Sequence, residues 1–280
     1  HRRQYQKELH SLKKYKKNRR IGSTFGNTSD EIEYRKSVEQ TRLKYRFELI
    51  LRDVTELKAL HERWQRIVEQ GVPNYFGEQR FGIDGGNIEQ ALGLFSGTKV
   101  KDKKKRGMYL SAARSAIFND IINERIKQAV FSTLQSGDVL MLAGTQSVFH
   151  LDEIDDSIKQ RFNDKDVDIT ATMWGAGELM TSAEPQVLEQ QVADKYNEFS
   201  QGLPRFGLKQ ERRRIRLVIG DADIEVLPNE TLSSKTLPSE TLPGETLPAV
   251  KISFTLAAGS YATTVLRELI DYQDCTQRVN

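Results

Sequence analysis

Two stretches near opposite ends of the chain carry the same two-residue hydrophobic period, and this most constrains the fold. In residues 45–52, Tyr45, Phe47, Leu49 and Leu51 fall on one side of an extended backbone; in residues 250–256, Val250, Ile252, Phe254 and Leu256 alternate with Lys251, Ser253 and Thr255. Residues 214–219 alternate arginine with Ile215, Leu217 and Ile219 in the same way. A strand with one apolar face must bury it against a second layer. Strands at both ends with helical patterns between them therefore suggest a chain of mixed α and β structure, one sheet interrupted by an insertion.

The helical patterns are clear. After the first strand, Thr55 is placed to cap a helix whose Leu57, Leu60, Trp64, Ile67 and Val68 share one face, and Gly71 with Pro73 ends it. A second helix is expected over residues 110–130, with Ala113, Ile117, Ile121 and Ile126 or their neighbours forming an apolar stripe, and a third over 184–199, with Pro185 in its first turn and Leu188, Val192 and Tyr196 on one face. A last helix starts near Ser260 and buries Val265, Leu266, Leu269 and Ile270. The expected division is a first domain with a basic N-terminal arm in 1–99, an insertion in 100–210 and the closing part of the first domain in 211–280. Within that closing part, residues 227–248 form an approximate five-residue repeat whose prolines remove backbone donors from any ladder, so an expanded hairpin loop is expected.

Charge is bunched more than it is abundant. The formal net charge is only +3, yet Lys13, Lys14, Lys16, Lys17, Arg19 and Arg20 sit together near the N-terminus. Lys99, Lys101, Lys103, Lys104, Lys105 and Arg106 form a second cluster, and Arg205, Lys209, Arg212, Arg213, Arg214 and Arg216 a third. Such clusters suit phosphate binding; each taken singly is also what a solvated loop looks like. The single cysteine, Cys275, excludes an intrachain disulfide framework and a multi-thiolate zinc site, and fits a reducing compartment, the cytoplasm by default. His1, His10, His61 and His150 lack metal-ligand spacing, so no metal is expected. No apolar stretch approaches the roughly 20 residues that span a bilayer, so no membrane association is expected, and a monomer is expected.

The densest chemistry lies in residues 71–82, where Tyr75, Phe76 and Phe81 sit among glycines with Asn74, Gln79 and Arg80. Aromatic faces can stack on an unpaired base, the amides can read its polar edge, and arginine can hold phosphate or orient a carboxylate. A glycine-bounded aromatic turn is equally an ordinary core plug. A phosphate-loop reading fails, because Ile83 and Asp84 stand where Lys-Ser/Thr is required.

Residues 74–82, Asn-Tyr-Phe-Gly-Glu-Gln-Arg-Phe-Gly, resemble the NYFGxQRFG signature of TruD-type pseudouridine synthases, closest to the bacterial branch. Residues 110–119 resemble a helix of that family's inserted domain, and residues 258–263 with Arg267, Glu268 and Leu269 resemble its closing strand-to-helix motif. The resemblance implies an α+β fold of the pseudouridine synthase type, with a mixed, mostly antiparallel sheet, flanking helices and an inserted α/β TRUD domain. It also implies an enzyme that isomerises one uridine in tRNA without cofactor or metal. By position, Asn74 would contact the target site and help organise a catalytic aspartate, Phe76 would shape the pocket, and Tyr261 would lie against the flipped base, with Gln79 and Arg80 supporting. Phosphate contacts would come from Lys103, Lys104, Lys105 and Arg213. Tyr261 stands where the family often has phenylalanine, and Ala257 replaces a usual proline.

The family's aspartate belongs to a Gly-x-Lys-Asp type motif ahead of the NYFG stretch, and residues 1–44 hold none; Asp30 lies in a loop-like or cap-like setting. Lys101-Asp102-Lys103 follows the signature, so it is rejected as that motif. N-terminal truncation, with no activity from this chain alone, is the expectation. The competing reading is a non-catalytic RNA-binding protein of the same fold. Both predict salt-dependent RNA binding. Replacing Lys103, Lys104 and Lys105 with alanine should weaken it and flatten the plot of log affinity against log salt by about one unit for each phosphate no longer neutralised; an unchanged slope removes this cluster from the interface.

Overall fold

The computed structural model describes residues 44–227, 248–257, 260 and 262–271. The basic arm before β1, the repeat at 228–247 and Tyr261 fall outside the described residues.

The two end strands pair with each other. β1 (Lys44–Leu51) lies antiparallel to β9 (Ala249–Ala257), in a register that sets Phe47 against Phe254, Leu49 against Ile252 and Leu51 against Val250. On the other side of β9 runs β8 (Gly220–Leu227), also antiparallel, giving the order β1-β9-β8. Leu227 pairs with Ala249, so the repeat begins and ends at neighbouring positions of one hairpin. Helices α1 (Leu57–Gln70) and α7 (Ala262–Leu269) pack together beside this sheet. Their Leu60, Trp64, Ile67, Val265, Leu266 and Leu269 join Val250, Ile252, Phe254 and Leu256 in one hydrophobic core. Phe254 is its hub, stacked on Phe47 at 5.6 Å and edge-on to Trp64 at 6.0 Å.

Two expectations here need adjustment, and a third holds. The N-cap of α1 is Glu56 rather than Thr55, and no side chain bonds there, because the chain enters the helix one residue later. Tyr45 has the inward parity but is 54% exposed, lying near the end of an edge strand beyond the helical cover. At the other end of α1, Gly71 does stop the helix: at φ 73° an added Cβ would meet the Leu217 carbonyl oxygen at 2.9 Å.

A second core surrounds the long helix α3 (Lys103–Lys127), which packs against α2 (Gly86–Phe95), α5 (Ala183–Lys195) and β5 (Val167–Met173). β3 (Val139–Leu142), β4 (Val148–His150) and β6 (Glu211–Arg214) complete an antiparallel sheet ordered β4-β3-β5-β6, and α4 (Asp156–Asn163) precedes β5. The apolar stripe of α3 runs through Ala113, Ile117, Ile121 and Ile122; at its far end Ile126 is 41% exposed and its neighbour Arg125 is buried, paired with the buried Asp138 at 2.8 Å. The helix expected over 184–199 is two, α5 and α6 (Asn197–Arg205), because Tyr196 leaves the helical basin at φ −105°, ψ 42°. That bend lets Phe199 and Leu203 enter the same core.

The two cores meet at a neck. β2 (Val72–Pro73) pairs antiparallel with β7 (Arg216–Leu217), Val72 opposite Leu217 and Pro73 opposite Arg216. The expected strand over 214–219 is broken here: Ile215 packs in the core around α3, whereas Leu217 packs in the core around Phe254. Arg216 ties the neck across its width. Its Nε donates to Asp168 at 2.8 Å, its Nη1 to the Gln70 carbonyl at 3.4 Å, and its guanidinium lies 4.1 Å from the Phe162 ring centre. Burial pushes the Asp168 carboxyl upward, and Arg216 opposes that shift. Asp168→Ala, which strands a buried guanidinium, should cost about 3–5 kcal/mol in chemical denaturation. Asp168→Leu combined with Arg216→Met should cost clearly less, and equal losses would remove the pair from its structural role.

Candidate functional site

The neck delivers residues 74–82 directly onto α3. Asn74 is held at three points: its N–H donates to the Ile215 carbonyl at 2.8 Å, its Nδ2 to the Arg214 carbonyl at 2.9 Å, and its Oδ1 accepts from Arg213 Nη2 at 2.8 Å. Two residues on, Asn119 of α3 grips the Phe76 backbone reciprocally. The Phe76 N–H donates to Asn119 Oδ1 at 2.9 Å, and Asn119 Nδ2 donates to the Phe76 carbonyl at 3.0 Å. One helical turn later, Asn123 Oδ1 accepts from the Tyr75 hydroxyl at 2.6 Å. Tyr75 is no base near neutral pH: desolvation, then Glu268 and Asp120, push its phenol up to about 12.

This scaffold presents the Phe76 ring to two guanidinium groups. Arg213 lies 4.2 Å and Arg80 5.2 Å from the ring centre, and Phe118 meets it edge-on at 5.5 Å. Burial, and then the neighbouring charge of Arg80, lower the pKa of Arg213. Among the described residues neither Arg80 nor Arg213 has a carboxylate partner, and Arg213 Nε is buried without a hydrogen bond. Among the described residues the site is thus an aromatic platform carrying two cations with no carboxylate against them.

Arg80 sits at the end of a 3-10 turn, Glu78–Arg80, where its Nη1 donates to Ser111 Oγ of α3 at 3.1 Å. The turn is tied to α7 by Arg267 and Glu78 at 3.0 Å, while Gln79 is exposed beside them. Lys103, Lys104 and Lys105 are exposed on the first turn of α3, and Asp102 caps the N–H groups of Lys104 and Lys105 at 2.8 and 3.2 Å. These lysines crowd the positive end of a helix dipole, an unfavourable place for cations that an external anion relieves. Arg213 differs from its expected role as a phosphate contact: it is turned inward onto Asn74 and Phe76. Tyr261 lies outside the described residues.

Asn119, Asn123 and Ser111 received no role from the sequence. Ser111 and Asn119 fall within the stretch 110–119 that carries the family resemblance, but beyond that the signal is only polar side chains recurring at helical spacing along a largely buried helix. A cleft of about 460 Å³ adjoins the neck, lined by Arg63, Arg66, Gln70, Pro73, Phe131 and Glu268. Desolvation raises the Glu268 carboxyl above its ordinary range.

The two bodies joined by this neck form a pseudouridine synthase-type fold. They are similar to the crystal structure of a putative tRNA pseudouridine synthase D (TruD) from Methanosarcina mazei, with a TM-score of 0.57 covering 80% of this chain and 68% of that one; at 18% identity the likeness is one of fold. The family itself follows from sequence: the model for tRNA pseudouridine synthase D (TruD) matches residues 29–93 and 95–269, and the chain belongs to that family. It is 64% identical over 98% of its length to tRNA pseudouridine synthase D of Colwellia psychrerythraea. With the proteins of the same name from Aeromonas salmonicida and Shewanella oneidensis, identity is 38% over 81% and 36% over 94% of this chain. The chain spans 67%, 59% and 61% of the lengths of these three relatives.

Asn119→Ala should release the Phe76 backbone at both its N–H and its carbonyl, at a cost of about 1–3 kcal/mol. Hydrogen exchange should then quicken at the Phe76 amide and leave β9 unchanged; unchanged exchange at Phe76 would remove Asn119 as the clamp.

Proposed function

We propose that this chain supplies the base-binding and RNA-binding parts of a tRNA pseudouridine synthase. The observation that carries the reading is Phe76, fixed through its backbone by Asn119 and flanked by Arg80 and Arg213. A uridine inside a helix cannot be isomerised, so it must first leave the stack. The Phe76 ring then offers it an apolar wall. The bond from N1 to the ribose C1′ breaks, the uracil turns, and a bond forms from C5 to C1′; the proton that leaves C5 balances the one gained at N1. No atom or electron is exchanged with a cofactor, and the reading needs no metal.

The two guanidiniums suit a carboxylate acting at the sugar, since an acid placed against Arg80 and Arg213 stays ionised and is aimed by their donors. Asn74 is engaged by Arg213 and by the backbone of β6. Its role on this reading is to position Arg213 over Phe76, rather than to touch the base directly. The same reading takes Lys103, Lys104 and Lys105 as phosphate contacts and Gln79 as an exposed group at the rim. Among the described residues no helix is long and apolar enough to cross a membrane. The lone Cys275 and a tRNA substrate fit a cytoplasmic monomer.

In a preparation that converts uridine in tRNA, Asn74→Ala should lower turnover by about 100-fold or more, in the range of lost electrostatic positioning, and Phe76→Ala should lower it as well by removing the wall that orients the flipped base. Affinity for the same tRNA should fall far less, because phosphate contacts dominate it. Pseudouridine mapping by mass spectrometry and filter binding read the two separately. Equal losses in both would contradict these roles.

A further inference from the structure

Away from Phe76, at the head of α3, a second hollow of about 310 Å³ opens to the surface. Leu94, Val100 and Phe206 form its apolar walls, and Lys99, Lys101 and Arg106 its rim. Two features separate it from an accidental gap. The first is aromatic: Tyr196, Phe199, Phe95 and Phe206 make a row of rings with successive centres 5.6, 5.9 and 5.8 Å apart, and its outer member, Phe206, is 38% exposed. The row is tightly seated, because a Cβ on Gly202 would strike the Phe95 ring at 2.3 Å. The second is charge. Among the described residues Lys99, Lys101 and Arg106 have no acidic partner, so the rim is cationic and uncompensated.

We propose that this hollow takes an unpaired base of the RNA substrate, distinct from the target uridine, stacked on Phe206 with its flanking phosphates on Lys99, Lys101 and Arg106. The inference rests on tRNA being the substrate. Every base has a π-face that can extend an aromatic row, and a cationic rim selects a polyanion. Position supports a single RNA reaching both sites. Arg106 and Asn119 belong to one helix, and at about 1.5 Å per residue they stand about 20 Å apart. Arg80, bonded to Ser111, lies between them. α3 therefore works as a ruler, setting the interval in a folded RNA between the modified position and a second exposed base.

The test is the affinity of the chain and its variants for an unmodified tRNA transcript at fixed salt. Phe206→Ala should weaken binding by about tenfold, within the range for loss of one stacked base, and Phe206→Trp should restore it. Lys101→Glu, which leaves the aromatic row untouched, should also weaken binding and lower its salt dependence. If the parent binds tRNA and both Phe206→Ala and Lys101→Glu bind as the parent does, the second site is overturned while the tRNA reading stands. Failure of the parent itself to bind tRNA would overturn the tRNA reading and this site with it. Self-association of the chain abolished by Phe206→Ala, with tRNA binding intact, would assign the hollow to a second copy and overturn the proposal.

Discussion

Two residue pairs hold the molecule's working part in place. Val72 opposite Leu217 and Pro73 opposite Arg216 make a ladder too short to be stable by its own hydrogen bonds, and it persists because each side continues into a different hydrophobic core. The buried contact of Arg216 with Asp168 closes the junction, with the Gln70 carbonyl and the Phe162 ring as further partners. Lys165 adds a bond to the Val68 carbonyl at 2.9 Å. The neck fixes where residue 74 emerges, and from there the aromatic loop lies along α3, with further ties to β6 through Asn74 and to α7 through Glu78.

α3 is the other half of the device. Buried on the side of Ala112, Ala113 and Ile117, it turns Ser111, Asn119 and Asn123 toward the loop, so its polar groups hold the loop while its apolar groups hold the helix. The electrostatic outcome is unusual. Arg213, largely desolvated, shares an aromatic ring with Arg80, and no carboxylate among the described residues balances them. Arg80 is exposed, so solvent screens its repulsion of the more buried Arg213, and the pair leaves a positive face open to an anion. A site built this way is arranged around what it binds.

Much of this was legible in the chain. The two-residue period of Phe47, Leu49 and Leu51 and of Val250 through Leu256 marks both strands and their buried faces, whereas their pairing and register do not follow from it, since a shift of two residues buries the same face. The positions of Leu60, Trp64 and Ile67, and the stop at Gly71, were equally plain. What stayed hidden depends on neighbours remote in sequence. Nothing local tells that Ile215 and Leu217 enter different cores, that Tyr196 bends a continuous helical pattern, or that Arg125 rather than Ile126 faces inward toward Asp138. Asn74 and Phe76 were picked out by residue type, but Asn119 was not, since an asparagine in mid-helix acquires meaning only when Phe76 is laid beside it. Arg213 misled for the same reason: within a run of arginines, neither charge nor period distinguishes a guanidinium facing phosphate from one folded over a ring.

The central claim is that Asn119 and the neck hold the Phe76 ring as the wall against which the target uridine rests. Photocrosslinking with tRNA carrying 5-iodouridine in place of uridine, followed by peptide mapping, addresses it most directly. The account predicts a crosslink at Phe76 that Asn119→Ala removes while most of the tRNA affinity remains. Crosslinks confined to the lysine clusters, with Phe76 unlabelled in the parent protein, would contradict it.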